Sequence, residues 1–177
     1  MYQPETIFTK VALNAIISKV KTNSVDKLLN EIPPEELSNP SACFVSLHLT
    51  DGSLRGCIGT IEPVEKSLYK EIIRNAVSAC SRDTRFTPVL NEELENLTIS
   101  VDVLSVPEKI QTIEYLDPAL YGVIVSDGGF RNAVLLPGLK GIDTVEEQLK
   151  IVKRKAGIYQ TDNKDLIIKR FSSTRYH

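Results

Sequence analysis

Apolar residues recur along this chain with two periods, one typical of amphipathic helices and the other typical of half-buried strands. The helical period covers about residues 4–20, 63–81 and 143–157, with a short helix predicted at 24–29 and a helical turn at 91–94. Strand patterns cover 44–58, 97–104 and 166–171. A further strand pair, 121–126 and 130–136, is apolar on both faces, so we expect it inside a sheet. Asp143 and Glu146 predict a capping box for the last helix.

Residues 42–60 form the strand pair from which the rest of the prediction starts. Asp51-Gly52 supplies the positive φ angles of a two-residue type I′ turn, so the segment predicts a β-hairpin. The turn sets a register in which the facing pairs are Leu49 with Leu54, His48 with Arg55, Leu47 with Gly56, Ser46 with Cys57, and Val45 with Ile58. The predicted core face consists of Val45, Leu47, Leu49, Leu54 and Ile58. The other face carries Ser46, His48, Arg55 and Cys57, beside the small Gly56 and Gly59.

The hairpin has a counterpart further along the chain. Residues 51–58 align with residues 127–134 at an offset of 76, and a predicted helix and strand follow each segment. This alignment predicts two β-hairpin–α–β units, over about 42–105 and 121–171, the alternative being a chance match between two Asp-Gly hairpins. Ala133 stands where the first unit has Cys57, so the thiol is not needed to build such a unit.

The composition is that of an ordinary globular protein. The chain has 177 residues, of which 42% are hydrophobic and 25% charged, enough for one domain with a substantial core. No apolar run approaches the roughly 20 residues of a membrane span, and the first residues lack the pattern of a signal peptide. We therefore expect a cytoplasmic protein without membrane association.

Charge is distributed unevenly along the chain. The net charge is −2, but residues 1–139 hold 12 Lys and Arg against 18 Asp and Glu, whereas residues 140–177 hold 9 against 5. The last part contains Lys150, Lys153, Arg154, Lys155, Lys169 and Arg170, with the aromatic Phe171 and Tyr176. Such a set suits nucleic acid, although a solvated helix surface is the plainer interpretation and an acidic chain does not favour a nucleic-acid partner.

The cysteines and histidines do not form a metal-binding pattern. Cys43, Cys57 and Cys80 are spaced by 14 and 23 positions, which matches neither a zinc site nor an iron–sulfur site. The histidines are His48 and His177. We therefore expect reduced thiols, no metal and no cofactor.

The polar face of the predicted hairpin carries the most specific candidate chemistry. Arg55 and Cys57 are two positions apart on one strand, roughly 6.5 Å along it, and a guanidinium at that distance favours the thiolate. His48 lies diagonally opposite as a candidate base, and Ser46 lies directly opposite Cys57. The alternatives are that Cys57 is a small hydrophobic residue on a buried strand and that His48 is simply exposed at the hairpin end.

Several arginines offer a second kind of site: Arg55, Arg82, Arg85 and Arg131. If the fold brings them together, their guanidinium groups suit a carboxylate or a phosphate. The alternative is that they form ordinary ion pairs with Asp83 or Asp127. The sequence has no glycine-rich loop followed by Lys and then Ser or Thr, so it has no P-loop for phosphate.

One stretch of the hairpin and several flanking motifs resemble a known family. Leu54-Arg55-Gly56-Cys57-Ile58-Gly59-Thr60 resembles the signature of the AMMECR-type domain family, which includes the bacterial and archaeal proteins called AmmeMemoRadiSam system protein A. Further matches follow in the family's order: Arg82-Asp83, Arg85-Phe86, Pro88, Tyr121-Gly122, Leu135-Leu136-Pro137 and Lys155-Ala156-Gly157. Because they span nearly the whole chain, we expect residues 1–177 to form a single domain of this type. Thr84, Thr87 and Gly138-Leu139 depart from the family's pattern.

The resemblance implies an α+β fold with a largely antiparallel β-sheet, flanking helices and a cleft beside the signature, to which the chain length adds room for one small extra lobe. It implies no known reaction, so whether the chain is an enzyme stays open. Some members accompany a Memo-type dioxygenase-like protein and a radical-SAM enzyme, which makes these two the expected partners. A role in basic information processing has also been suggested for the family.

Three hypotheses about function follow from the residues and the resemblance. In the first, the chain is an accessory protein that binds a ligand or partner in a cleft lined by Ser46, His48, Arg55, Gly56, Gly59, Arg82, Asp83 and Arg85. In the second, it is an enzyme that uses Cys57 as nucleophile or redox thiol. In the third, it binds RNA or DNA.

Overall fold

The fold is described from a computed structural model, which covers residues 3–159 and 161–177. The chain divides into two compact units. The first unit runs through Val103 and includes Thr174–His177, and the second is Leu104–Ser173. The α+β class with antiparallel sheets, predicted from the resemblance, is confirmed.

Groups of helices and groups of strands follow one another along the chain. The helices are α1 (Ile7–Thr22), α2 (Asp26–Leu29), α3 (Leu68–Ser81) and α4 (Val145–Lys155), with 3₁₀ turns at Glu35–Leu37, Asn91–Asn96, Ile113–Tyr115 and Asn163–Asp165. The strands are β1 (Cys43–Leu49), β2 (Leu54–Gly59), β3 (Leu97–Leu104), β4 (Glu108–Lys109), β5 (Gly122–Ser126), β6 (Asn132–Leu135), β7 (Ile167–Phe171) and β8 (Ser173–Tyr176). The sequence pattern did not predict β4 or β8, both of which are four residues or shorter.

The first unit is a four-stranded sheet in the order β2-β1-β3-β8, packed with α1 and α3. The apolar stripe predicted for α3 is buried, and Val45 and Leu47 on β1 complete the core beneath it. Ser67 caps α3, its hydroxyl accepting the Lys70 N–H, so the helix begins at Leu68 and not near Pro63 as predicted. This capping oxygen satisfies an otherwise unpaired N–H of the first turn.

The turn of the first hairpin differs from the prediction. The Gly52 N–H donates to the Leu49 carbonyl and the Leu49 N–H donates to the Ser53 carbonyl, each at 2.9 Å. Gly52 has φ +83°. The loop is therefore Thr50-Asp51-Gly52 and ends in a left-handed glycine. Asp51 lacks the positive φ that a type I′ turn centred on Asp51-Gly52 requires, so the predicted type I′ turn is wrong.

A β-bulge at Arg55 then restores the predicted register. His48 pairs with Leu54 while Leu47 pairs with Gly56, so Arg55 is the extra residue on β2. The pairs Leu47–Gly56, Ser46–Cys57 and Val45–Ile58 are confirmed, whereas the predicted pairs His48–Arg55 and Leu49–Leu54 are wrong. Leu54, which we expected in the core, is 37% exposed. The longer turn moves the register by one residue and the bulge moves it back.

The second unit is a sheet in the order β4-β7-β5-β6, with α4 packed on β5 and β6. Both units contain a hairpin followed by a helix and a strand, and in both the later strand pairs antiparallel with the hairpin's first strand. The prediction that the second hairpin lies inside its sheet is correct for β5 and wrong for β6, which is the edge strand. In β6 only Ala133 and Leu135 are buried, so this strand is covered on one face and not on both as predicted.

The capping box of α4 lies one residue later than predicted. Thr144 is the N-cap, its hydroxyl accepting the Glu147 N–H at 3.2 Å, and the Glu147 carboxylate accepts the Thr144 N–H at 3.3 Å. Asp143 and Glu146 are therefore not the capping pair. Over the described residues, no helix is both long enough and apolar enough to cross a membrane.

Candidate functional site

The backbone of Cys57 is held by side chains on the outer edge of the first sheet. β2 is an edge strand, so one side of its backbone has no neighbouring strand. The Cys57 N–H donates to Asp83 Oδ2 at 2.9 Å, and the Cys57 carbonyl accepts from Arg85 Nη2 at 3.2 Å. The loop after α3 thus supplies a donor and an acceptor where a further strand would otherwise pair.

The sulfur of Cys57 faces the opposite neighbour, β1. Ser46 Oγ donates to Cys57 Sγ at 3.2 Å, in agreement with the predicted cross-strand pair. Ser46 is buried and Cys57 is half-buried, so the thiol keeps some access to solvent. Cys43, Cys57 and Cys80 are free thiols, and burial raises the pKa of Cys43 to about 12 and that of Cys80 to about 11.

Asp83 is the centre of the hydrogen bonds around Cys57. Its carboxylate accepts Arg85 Nε at 2.9 Å and Arg85 Nη2 at 2.7 Å, besides the Cys57 N–H. Asp83 is only 5% exposed. The hydrogen bonds from Arg85 are the largest cause that lowers the pKa of Asp83, to about 2, so the carboxylate is ionised at neutral pH.

Arg85 is the cation beside Cys57. Its pKa is raised, chiefly by the hydrogen bond to Asp83, with a smaller contribution from Cys57. Its side chain is 55% exposed although one edge of the guanidinium is fixed by Asp83. The remaining edge is therefore available to a ligand, and its orientation is already set.

Arg55, which we predicted to lie beside the thiol, has other partners. Its Nε and Nη2 donate to the two oxygens of Glu93 at 2.6 and 2.9 Å, and Nη2 also lies 3.4 Å from the Pro88 carbonyl. Arg55 is 8% exposed, and its Nη1 is buried with no partner among the described residues. Because the bulge changes the direction of Arg55, its guanidinium meets the segment after α3 instead of facing Cys57.

Phe86 lies close to both guanidinium groups. Its ring centroid is 5.9 Å from the Arg55 guanidinium carbon and 5.5 Å from that of Arg85. Both distances are within the range of cation–π attraction. Phe86 therefore lies between the guanidinium of the Arg55–Glu93 pair, which is buried, and that of the Arg85–Asp83 pair, which is exposed.

Gly56 and Gly59 allow close packing at the signature strand. A Cβ at Gly56 would overlap the Ala79 carbonyl oxygen of α3, and a Cβ at Gly59 would overlap the Phe44 ring. Their small size therefore lets β2 approach α3 and β1. In this arrangement both glycines position the strand that carries Cys57.

The other predicted site residues have different surroundings. The pKa of His48 is lowered, first by burial and then by Arg175, with Asp102 opposing, and its cross-strand partner is Leu54. Arg82 is exposed at the end of α3. Arg131 lies in the second unit and pairs with Asp127 at 2.7 Å. Arg85 and Arg131 thus form the ion pairs with Asp83 and Asp127 that the sequence offered as the alternative.

Two glutamates support the site and were not predicted from the sequence. Glu93 is 38 residues from its partner Arg55, and only the return of the chain after α3 brings them together. Glu71 is fully buried and accepts the Thr60 hydroxyl at 2.6 Å and the Val64 and Glu65 N–H groups at 3.0 and 2.8 Å. It therefore fixes the loop that follows the signature. The one available signal was a carboxylate beside the apolar stripe of α3.

The described residues contain no group of three or more His, Cys, Asp or Glu side chains suited to a metal ion.

The two aromatic residues suggested for nucleic-acid stacking have other roles. Phe171 is 1% exposed, and Tyr176 stacks on Phe8 with 3.8 Å between ring centroids. The Phe171 ring is therefore too buried to stack on a base, and one face of the Tyr176 ring is already covered.

Comparison with known proteins identifies relatives over nearly the full length. The sequence model of the AMMECR1 family matches residues 9–176. A Thermotoga maritima protein is 46% identical over 169 residues, which are 96% of this chain and 96% of that protein. A Clostridium acetobutylicum protein is 41% identical over 175 residues, which are 98% of this chain but only 36% of that protein. The crystal structure of an uncharacterised Pyrococcus horikoshii protein matches with a TM-score of 0.85 and 29% identity, over 98% of this chain and 91% of that chain.

Proposed function

We propose, from the premise that this chain belongs to the AMMECR1 family, that it is an accessory protein whose ligand site is formed by Ser46, Cys57, Asp83 and Arg85. The observation that carries the proposal is the state of Arg85. Its guanidinium is fixed on one edge by a buried carboxylate, yet its side chain is 55% exposed, next to a half-buried thiol. A cation held in place in this way loses little side-chain entropy when a ligand binds.

The ligand class follows from the donors that the site offers. A guanidinium edge suits a carboxylate or a phosphate oxygen. The Cys57 sulfur supplies a polarizable surface beside it. We therefore propose a small oxyanion-bearing ligand, or an acidic group of a partner protein, as the occupant.

The two units act as one AMMECR-type domain of a cytoplasmic protein in this proposal, because the family match extends through both. Its partners are a Memo-type dioxygenase-like protein and a radical-SAM enzyme. A role beside other proteins is supported by the Clostridium relative, in which a region like this chain makes up 36% of a longer protein. Co-expression with a tagged Memo-type protein tests this part, and failure of the two to co-purify would contradict it.

The ligand site is tested by NMR on the ¹⁵N-labelled full chain, titrated separately with acetate and with inorganic phosphate. We expect saturable shifts of the Cys57 and Arg85 amide signals with at least one of these probes. Arg85→Gln should abolish these shifts. Arg74→Gln should not, although Arg74 is 56% exposed and, like Arg85, forms an ion pair with a carboxylate, that of Glu65. Absent shifts, or shifts that survive in Arg85→Gln, would contradict the proposed site.

A cysteine-dependent enzyme is the second candidate, and the contact between Ser46 and Cys57 favours it. Ser46 donates to the sulfur, and the Arg85 guanidinium donates to the carbonyl of the same residue, so a nucleophilic thiol would have a hydroxyl and a cation beside it. The test is the rate of Cys57 alkylation by iodoacetamide at neutral pH, read by mass spectrometry of peptides. A rate no higher than that of a free thiol would remove the support for catalysis.

A further inference from the structure

An open cleft in the second unit runs along α4 and has a volume of about 1070 Å³. Its floor includes Val145, Leu149 and Ile158, and Ile113 contributes to its wall. Leu149 and Ile158 belong to the buried core of the unit, with 4% and 1% exposure. These two residues at the bottom of the cleft are thus held in place by the packed core. The volume of the cleft is similar to that of small-molecule sites, roughly 300–1,000 Å³.

The charged residues that line this cleft are segregated along α4, with carboxylates in its first turn and cations further along the helix. Lys150 and Arg154 line it one helical turn apart, and both are exposed. Over the described ranges, neither forms an ion pair. Lys153, between them in sequence, donates instead to the Thr161 carbonyl at 2.5 Å. Two carboxylates in the first turn of α4, Glu146 and Glu147, line the same cleft four and three positions before Lys150.

We propose that this cleft binds a small amphipathic organic anion, with its acidic head between Lys150 and Arg154 and its aromatic or acyl group against Ile113, Val145 and Tyr159, the apolar lining residues that keep exposed surface. Side chains at i and i+4 on a helix are about 5–6 Å apart at Cβ, so both cations reach one carboxylate, sulfonate or phosphate group. The apolar part gains by leaving water. The Glu146 and Glu147 carboxylates disfavour the reverse orientation, because they would repel the head.

The probe for this site is 8-anilinonaphthalene-1-sulfonate, an aromatic sulfonate whose fluorescence rises in an apolar environment. We expect saturable binding to the full chain and roughly tenfold weaker binding to the double variant K150Q/R154Q, because two charge-assisted contacts are lost. The matched control is K10Q/K21Q, which removes two exposed cations from α1 and should leave the affinity unchanged. Circular dichroism verifies that each variant is folded, and glutamine suits all four helical positions.

Competition distinguishes an amphipathic ligand from a simple anion. Decanoate should displace the probe, whereas sulfate at the same concentration and ionic strength should not. Equal affinity of wild type and K150Q/R154Q would overturn the proposal, as would displacement by sulfate as effective as that by decanoate. Equal weakening in K10Q/K21Q would also overturn it, since net charge and not this cleft would then govern binding.

Discussion

The carboxylate of Asp83 accepts the backbone N–H of Cys57 at 2.9 Å, across 26 positions of sequence. The same carboxylate accepts two guanidinium hydrogens of Arg85, which in turn donates to the Cys57 carbonyl. Asp83 and Arg85 therefore bind the two backbone groups that Cys57 presents at the sheet edge. The exposed guanidinium on which the proposed ligand site depends is positioned by this arrangement.

Asp83→Asn is expected to destabilise the protein by about 2 kcal/mol at pH 7. The buried Asp83 would lose its charge and the ion pair with Arg85. Urea unfolding followed by circular dichroism measures the change. Asp143→Asn, at an exposed position that carries no side-chain hydrogen bond in the described structure, should be nearly neutral.

The effect of Asp83 should depend on pH with a defined sign. Its pKa is about 2 in the folded chain against an ordinary value of 3.8. A lowered pKa means that the unfolded state binds the proton more readily, so the stabilisation is complete above about pH 4 and falls as the pH decreases toward 2. The difference in unfolding free energy between wild type and Asp83→Asn should therefore shrink over that interval. A constant difference would show that the charge of Asp83 is not its source.

Arg85 and Arg55 should differ in their effect on Cys57. Arg85→Gln is expected to slow iodoacetamide alkylation of native Cys57 several-fold, because the nearest cation is lost. Arg55→Gln should leave that rate unchanged, since its guanidinium is bound by Glu93.

Both substitutions leave a partly or fully buried carboxylate without its cation, and each should cost roughly 1–3 kcal/mol of stability. Unfolding free energies measured alongside the alkylation rates keep the two effects separate. If Arg55→Gln slowed alkylation as much as Arg85→Gln, the assignment of Arg85 as the cation beside the thiol would be wrong.

Gly56→Ala should destabilise the first unit by about 3 kcal/mol, because a methyl group there overlaps the Ala79 carbonyl of α3 and an overpacked core cannot absorb it. Gly129→Ala is the control, since a Cβ at Gly129 would make only ordinary contact with Asp127. Thermal unfolding compares the two. A Gly56→Ala variant as stable as Gly129→Ala would mean that β2 is free to move away from α3.

Thr144→Ala should cost about 1 kcal/mol through loss of the N-cap of α4. Its hydroxyl accepts the Glu147 N–H at 3.2 Å. Asp143→Ala, at the position that the sequence pattern favoured as the cap, should change stability by less than about 0.5 kcal/mol. Denaturant titration of the two variants decides between the positions, and the reverse order would restore Asp143 as the cap.

The register of the first hairpin illustrates how a correct prediction can rest on a wrong turn. Two local deviations, the longer loop at Gly52 and the bulge at Arg55, cancel at Leu47, so Ser46 still faces Cys57. Alternation in the sequence could not reveal this, because a two-residue period is the same on both sides of a compensated shift. The deviations are visible at Leu54, which is exposed, and at Arg55, which is the bulge residue itself.

The sequence by itself determined the helices and all the strands except β4 and β8, because the side-chain periods of helices and strands are local properties. It also placed the hairpin–helix–strand order of both units, the pair Ser46–Cys57 and the family. Only the tertiary structure decided which cation lies beside the thiol, which strand forms an edge and which aromatic rings are buried. Those outcomes depend on contacts such as Arg55–Glu93 and Cys57–Asp83, 38 and 26 positions apart. Such contacts form only when α3 and the following loop pack back onto β2, and no local pattern encodes that return.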